Sequence, residues 1–183
     1  MEEDYKPVSY SQTTLTELMI PAYANFGGKI HGGILLSLMD KVAYACASKH
    51  AGNYCVTVSV ENVDFLQPVE VGEMVSMFAT VNYVGKSSLV IGIKVIAEDF
   101  KQGSVKHTNT SYFTMVAKDD SGKPTKVPAL LLENNEDIRH FMEAIKRKEL
   151  KETYKIELNN AKTILKVETG KHILEGERCK IGF

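Results

Sequence analysis

The sequence predicts an α+β domain: one long helix held inside a curled antiparallel sheet, with a helical extension at the C-terminal end. Three observations carry that prediction. From Ile34 to Ala47 every residue is apolar except Ser37, Asp40 and Lys41, whereas an ordinary surface helix shows only an apolar stripe. Four segments with strand character follow it, and three of them alternate apolar with polar residues. The turns between them, Pro68–Gly72, Gly85–Lys86 and Asp99–Gly103, are short enough to join antiparallel neighbours. Strand, helix, then strand after strand is an α+β order.

The elements follow in chain order. Residues 1–10 are polar and read as loose at the very end. Ser11 to Ile20 is threonine-rich and β-compatible, and Pro21 stops it. Pro21 to Gly33 is a loop holding four glycines, residues that let a backbone turn sharply or approach a ligand closely. The central helix ends near Gly52. Tyr54 to Leu66 alternates through Val56, Val58 and Val60 and then resumes on the opposite parity with Val63 and Phe65. That slip predicts a bulge near Glu61–Asn62. Glu73 to Val84 and Ser88 to Glu98 each point five apolar residues one way, and Lys106 to Val116 is a more polar strand. A polar linker, Lys118 to Pro128, leads to a helix capped by Asn134 or Asn135, with Glu136 and Asp137 in its first turn. Ile138, Phe141, Met142 and Ile145 give that helix one apolar stripe. Short β-like pieces, Tyr154–Leu158 and Thr163–Glu168, follow it. The expected division is a domain over 1–130 and a helix with tail over 131–183.

Composition narrows the function. The 183 residues carry a net charge of −1 with 25% charged side chains, which argues against a nucleic-acid partner. No apolar run approaches the ~18 residues of a membrane span, so no membrane partner is expected. Cys46, Cys55 and Cys179 lack metal-ligand spacing; they read as reduced thiols, with no metal site and a cytoplasmic location.

On a helical wheel Ser37, Lys41, Tyr44 and Ser48 fall on one narrow stripe, and Asp40 lies beside it over Gly33, Leu36, Ala43 and Ala47. A carboxylate carried into an apolar interior costs several kcal/mol unless paired or put to use. Asp40 is therefore the candidate site residue.

Three segments, ANFGGKIHGGILLSLMDKVA, VTVSVENVDFLQPVEVGE and NYVGKSSLVIGIKV, in this order and spacing, resemble the hot-dog-fold acyl-CoA thioesterases over roughly residues 10–148. The resemblance implies hydrolysis of acyl-CoA to a carboxylic acid and coenzyme A, with coenzyme A part of the substrate and no separate cofactor. It implies a homodimer, with a trimer of dimers as a further level of assembly. It places the chemistry on Asn25 and Asp40. The residues agree: thioester hydrolysis needs a base or nucleophile and a group to hold the oxyanion. Asp40 can deprotonate water or attack directly, and both routes stay open. Asn25 can orient the water or hold the thioester oxygen, although by itself it reads as a turn former. The helix-start amides of Gly32 and Gly33 can complete an oxyanion hole.

By the same resemblance, Gly85, Lys86, Ser87 and Ser88 in a hairpin loop, with Lys146, Arg147 and Lys148, hold the coenzyme A moiety. VGKSS lacks the spaced glycine of a P-loop. His31 reads as a cap or as loop packing rather than as a general base. The alternatives are a hot-dog hydroxyacyl-thioester dehydratase, using His31 with a carboxylate, and a non-catalytic acyl-CoA-binding module. Asn25 precedes Asp40 across the glycine turn, and reaching a neighbour's helix is the simpler route to a complete site. The site is therefore expected to be shared between subunits.

Overall fold

The structure is a computed structural model that describes residues 4–182, and it divides after Ala144 into two units. In the first, the elements are β1 (Tyr5–Pro7), α1 (Val8–Ser11), β2 (Thr13–Leu18), α2 (Gly32–Ala51), β3 (Tyr54–Val60), β4 (Met74–Val84), β5 (Ser88–Asp99), β6 (Ser104–Lys118) and β7 (Ala129–Leu131). The start of α3 (Asn135–Ile164) completes this unit. Five strands form one antiparallel sheet in the order β2-β4-β5-β6-β3.

The period-two pattern puts Val75, Met77, Ala79 and Val81 of β4 and Leu89, Ile91, Ile93 and Val95 of β5 on one buried face. The sheet curls around α2 on that face. Leu35, Leu38, Met39, Val42, Cys46 and Ala47 of α2 meet it, all buried. Each large apolar side chain so covered contributes about 1.5–3 kcal/mol. Gly52, at φ 69°, ends α2 in the left-handed region that glycine adopts without strain.

Four expectations are corrected. The sheet covers only one side of α2: Leu36, Asp40, Tyr44 and Ala45 are exposed, so Asp40 is not in the interior of a single chain. Apolar residues on both sides of the helix identify two surfaces to be covered, and this chain covers one of them. Next, residues 5–11 carry two elements that the sequence does not suggest, while residues 1–3 of the expected loose end lie outside the described residues. β1 pairs in parallel with β7, Tyr5 opposite Ala129, and α1 buries Val8 and Ser11.

The third correction concerns β3, which stops at Val60 and has its register shift between Thr57 and Ser59, not at Glu61–Asn62. The chain runs on beside β6 through isolated bonds, the Glu61 N–H to the Tyr112 carbonyl and the Leu66 N–H to that of Thr108. Finally, the segments Tyr154–Leu158 and Thr163–Glu168 are not strands. α3 continues to Ile164, and α4 (Val167–Gly170) follows.

Asn134 caps α3, its side-chain oxygen accepting from the Asp137 N–H at 3.0 Å. The first unit extends past residue 130 because Phe141 packs on the core and its ring lies 5.1 Å from that of Tyr83. Ile138 and Met142 of the expected apolar stripe are exposed.

Candidate active site

Asp40 stands about two turns into α2, on the side the sheet leaves open. The two-residue connection Gly52–Asn53 turns the chain back along the helix, so β3 runs beside that open side. There the Thr57 hydroxyl donates to Asp40 Oδ1 at 2.6 Å, the short geometry of a bond to an ionised acceptor. Among the described residues no other hydrogen bond reaches this carboxylate. Thr57 Oγ1 also lies 3.1 Å from Met115 Sδ, but it has one proton, and the carboxylate is the stronger acceptor.

A cavity of about 390 Å³ opens here between α2 and β3. Asp40, Tyr44, Tyr54, Val56 and Thr57 are in its walls, with the two tyrosine rings 6.0 Å apart. The tyrosines, Cys55 and Val56 make much of its wall apolar, and Asp40, Thr57 and Lys41 supply a carboxylate, a hydroxyl and an ammonium group, a composition suited to an acyl chain ending in a polar reacting group.

The start of α2 is built by His31, whose extended backbone (φ −66°, ψ 126°) precedes the first helical turn. Its Nδ1 accepts from the Gly33 N–H at 2.9 Å, so His31 is the cap that the sequence suggests. The bond has two consequences. An accepting Nδ1 leaves the proton of the neutral ring on Nε2, and the Gly33 N–H is engaged within the chain. A Cβ at Gly33 would lie 3.0 Å from His31 Nδ1, and one at Gly32 would lie 3.3 Å from the Phe65 ring. Close approach thus favours glycine at both positions.

Asn25 lies in the exposed loop ahead of the helix. Its side-chain oxygen accepts from the Gly27 N–H at 2.9 Å and the Lys29 N–H at 3.2 Å. The carboxamide therefore does what a turn former does, and its acceptor is spent on the loop while the NH₂ group keeps its donors. Neither Asn25 nor the glycines line the Asp40 cavity of the same chain. Beside Asn25, Phe26 is fully exposed.

The tip between β4 and β5 is closed by the Gly85 N–H donating to the Ser88 carbonyl at 2.8 Å. A Cβ at Gly85 would sit 2.7 Å from Ser88 Oγ. The carbonyls of Lys86 and Ser87 accept from the N–H groups of Val127 and Ala117, so the tip backbone is fixed while the Lys86 side chain is exposed. Lys146, Arg147 and Lys148 belong to the second unit, where Lys146 pairs with Glu149 at 3.0 Å. Cys46 and Cys55 are buried, with the Cys46 thiol pushed up to about 12 by burial, and Cys179 is exposed; all three are free.

Thr57 is the site residue that sequence reasoning misses. Its hydroxyl alternates with Val56 and Val58 like any strand polar residue, and only the packing of β3 beside α2 brings it to Asp40.

A curled antiparallel sheet around one helix, with a carboxylate of that helix at an apolar cavity, defines the hot-dog thioester-processing class. Comparison with known proteins narrows the class. A family model described as the thioesterase superfamily matches residues 27–104. Protein VdlD of Helicobacter pylori is 44% identical over 137 residues, 75% of this chain and 78% of that one. YkhA of Bacillus subtilis, described as an uncharacterized acyl-CoA thioester hydrolase, is 34% identical over 75% of this chain and 80% of its own. Among solved structures, the acyl-CoA hydrolase of Staphylococcus aureus in complex with butyryl coenzyme A and coenzyme A superposes with a TM-score of 0.78. It is 31% identical and covers 87% of this chain and 98% of its own. A hexameric acyl-CoA thioesterase superposes with a TM-score of 0.80 at 34% identity, covering 82% of this chain and 97% of its own. The chain belongs to the hot-dog acyl-CoA thioesterases of the thioesterase superfamily.

Proposed function

We propose that this thioesterase hydrolyses acyl-CoA to the free acid and coenzyme A at a site completed by two copies of the chain. The observation that carries the reading is the Asp40–Thr57 pair at the mouth of an apolar cavity on a helix face that the chain leaves uncovered. Three further structures similar to this one are alanine variants of the Staphylococcus aureus enzyme, at an asparagine, an aspartate and a threonine. Those three residues have the same separations along their chain as Asn25, Asp40 and Thr57 have here.

In the mechanism, the acyl chain enters the cavity between Tyr44 and Val56 and presents its thioester to Asp40. Thr57 holds one carboxylate oxygen, which leaves the other to deprotonate water or to attack the carbonyl. Negative charge then develops on the thioester oxygen. The Asn25 NH₂ is suited to receive it, because the amide oxygen is already bonded to the loop and the group can turn only its donors outward. The helix-start amide of Gly32 is the second donor, and that of Gly33 becomes one where His31 releases it. Collapse of the tetrahedral intermediate expels the coenzyme A thiolate, which takes up a proton; where Asp40 itself attacks, water then hydrolyses the acyl–Asp40 anhydride to the free acid and restores the carboxylate. No step is routed through a metal or a separate cofactor.

The exposed surface supports a shared site. β3 is an edge strand with Val58 and Val60 exposed, a ready template for pairing with a second copy. Leu36 and Tyr44 of α2 and the exposed Phe26 add apolar area that a partner would cover. A two-fold arrangement makes two equivalent sites, each with Asn25 from one chain and Asp40 from the other, and a trimer of such dimers is the larger assembly. Lys86 with the Gly85–Ser88 tip completes the reading as a contact for the charged coenzyme A moiety, and Lys146 to Lys148 of the second unit are by themselves a basic cluster of the kind such a group attracts. The three free cysteines support a cytoplasmic setting.

The test is thiol release across acyl-CoA substrates of graded chain length, with Asp40→Asn alongside. Turnover is expected in the parent and a loss of about two orders of magnitude in the variant. Wild-type kcat in a folded Asp40→Asn protein would remove Asp40 from the mechanism. Water elimination from a hydroxyacyl thioester without thiol release would instead make the protein a dehydratase, and binding without turnover a sensor. The spent Nδ1 of His31 disfavours the dehydratase.

A further inference from the structure

The second unit separates charge from the first. Residues 145–183 hold ten Lys and Arg against six Glu, a local excess of positive charge in a chain whose net charge is −1. The pattern within its helix is more specific. From Lys148 to Leu165, at about 100° per residue, Leu150, Tyr154, Leu158, Ala161 and Leu165 share one face. Leu165 continues the helical bonding, its N–H donating to the Ala161 carbonyl at 2.9 Å. Leu150, Tyr154 and Leu165 are 58%, 66% and 59% exposed and Leu158 is 39% exposed, so much of this stripe is open among the described residues of the second unit. Lys151, Lys155 and Lys162 run along one margin of it. Glu149 and Glu152 fall on the opposite side, and Glu157 is the one acid at the other margin.

Beyond the helix the same chemistry continues. An apolar cavity of about 520 Å³ is lined by Leu165, Ile173 and Leu174, with Lys166 and Lys171 beside them.

We infer that the stripe of α3 from Leu150 to Leu165 docks the protein on an anionic lipid surface, its leucines and Tyr154 entering the headgroup boundary and Lys151, Lys155 and Lys162 meeting the lipid phosphates. A helix with an apolar face bordered by lysines suits that position, and with Lys148 and Lys166 beside the same margin the five basic residues reach the clustering that anionic headgroups attract. The mode is lying on the surface, since no helix among the described residues is long and apolar enough to cross a bilayer. Charge selects this occupant over a second copy, because face-to-face pairing of two such helices brings lysine rows together without compensating acids. A nucleic acid would meet the lysines but give no burial to Leu150, Tyr154 and Leu158. The inference reverses the sequence expectation of no membrane partner, which tests only spanning. It does not depend on the hydrolase reading.

The experiment is flotation of the full chain with phosphatidylcholine vesicles, with and without phosphatidylglycerol, at low and high salt. Cofractionation with the anionic vesicles alone, weakened by salt, is expected. Lys151→Glu/Lys155→Glu/Lys162→Glu should lower the partition coefficient about 100-fold. Tyr154→Ser/Leu158→Ser should lower it as well, with thiol release from a short-chain acyl-CoA unchanged in both. No binding to anionic vesicles at low salt, or equal binding to neutral ones, overturns the proposal. It also fails if Tyr154→Ser/Leu158→Ser keeps full vesicle binding but lowers the native mass, which makes the stripe a contact between copies.

Discussion

Replacing Thr57 with valine keeps the β-branched shape on β3 and deletes only the hydroxyl that Asp40 accepts from at 2.6 Å. Hydrogen bonds to charged groups contribute about 1.5–3 kcal/mol. Water entering in place of the hydroxyl replaces part of the lost bond, so the lower end applies. About 1.4 kcal/mol is tenfold in rate, and kcat should fall by about that factor. KM should hold, because Thr57 orients the carboxylate and the acyl chain still fills the cavity. Thr57→Ser restores the donor and should recover most of kcat, an outcome a purely structural role for the threonine does not require. The assay is steady-state thiol release, with circular dichroism confirming that both variants fold. A Val variant within twofold of the parent, or a Ser variant as slow as Val, would refute the argument that this hydroxyl positions the base.

Three other outcomes are expected. Mixing inactive Asn25→Ala with inactive Asp40→Ala and exchanging subunits should restore activity toward about a quarter of wild type; confirmed exchange with no recovery means each chain builds its own site. Neutralising Lys86 should raise KM for acyl-CoA several-fold with kcat intact, an effect that shrinks at high salt, and an unchanged KM would make Lys86 ordinary surface charge. Burial lowers the pKa of His50 below its usual 6.5, against an opposing bond to the Pro128 carbonyl. The unfolded chain therefore binds this proton more readily than the folded one. Stability from His50 is complete above 6.5 and is lost as pH falls through the depressed folded value. Thermal unfolding between about pH 7 and 5 should show this slope, and His50→Gln should flatten it.

Periodicity made much of this protein legible without a fold. β4 and β5 are readable because alternation is local: Val75, Met77 and Ala79 face one way whatever lies across the core. The bounds of α2 are equally local, a glycine pair as its first two residues and the left-handed Gly52 after it. As a pair of site residues, Asn25 and Asp40 rest on the resemblance carried by the order and spacing of three motifs, not on a local pattern.

Other features depended on what packs against what. The exposure of Asp40 is a property of the sheet, which curls over only one face of a helix whose residues are apolar on both. The bulge sits at Val58 because β3 must follow β6 there, while Val63 and Phe65 show the parity change only after the strand has ended. Tyr154, Ile156 and Thr163 favour strands by type. The lysine- and glutamate-rich run around them instead carries α3 through to Ile164, since helix bonds close within four residues and need no partner strand. The Thr57–Asp40 bond is the clearest case. Nothing local in a valine-flanked threonine marks it, and only the turn at Gly52–Asn53, which lays β3 beside the open face of α2, gives the carboxylate its donor.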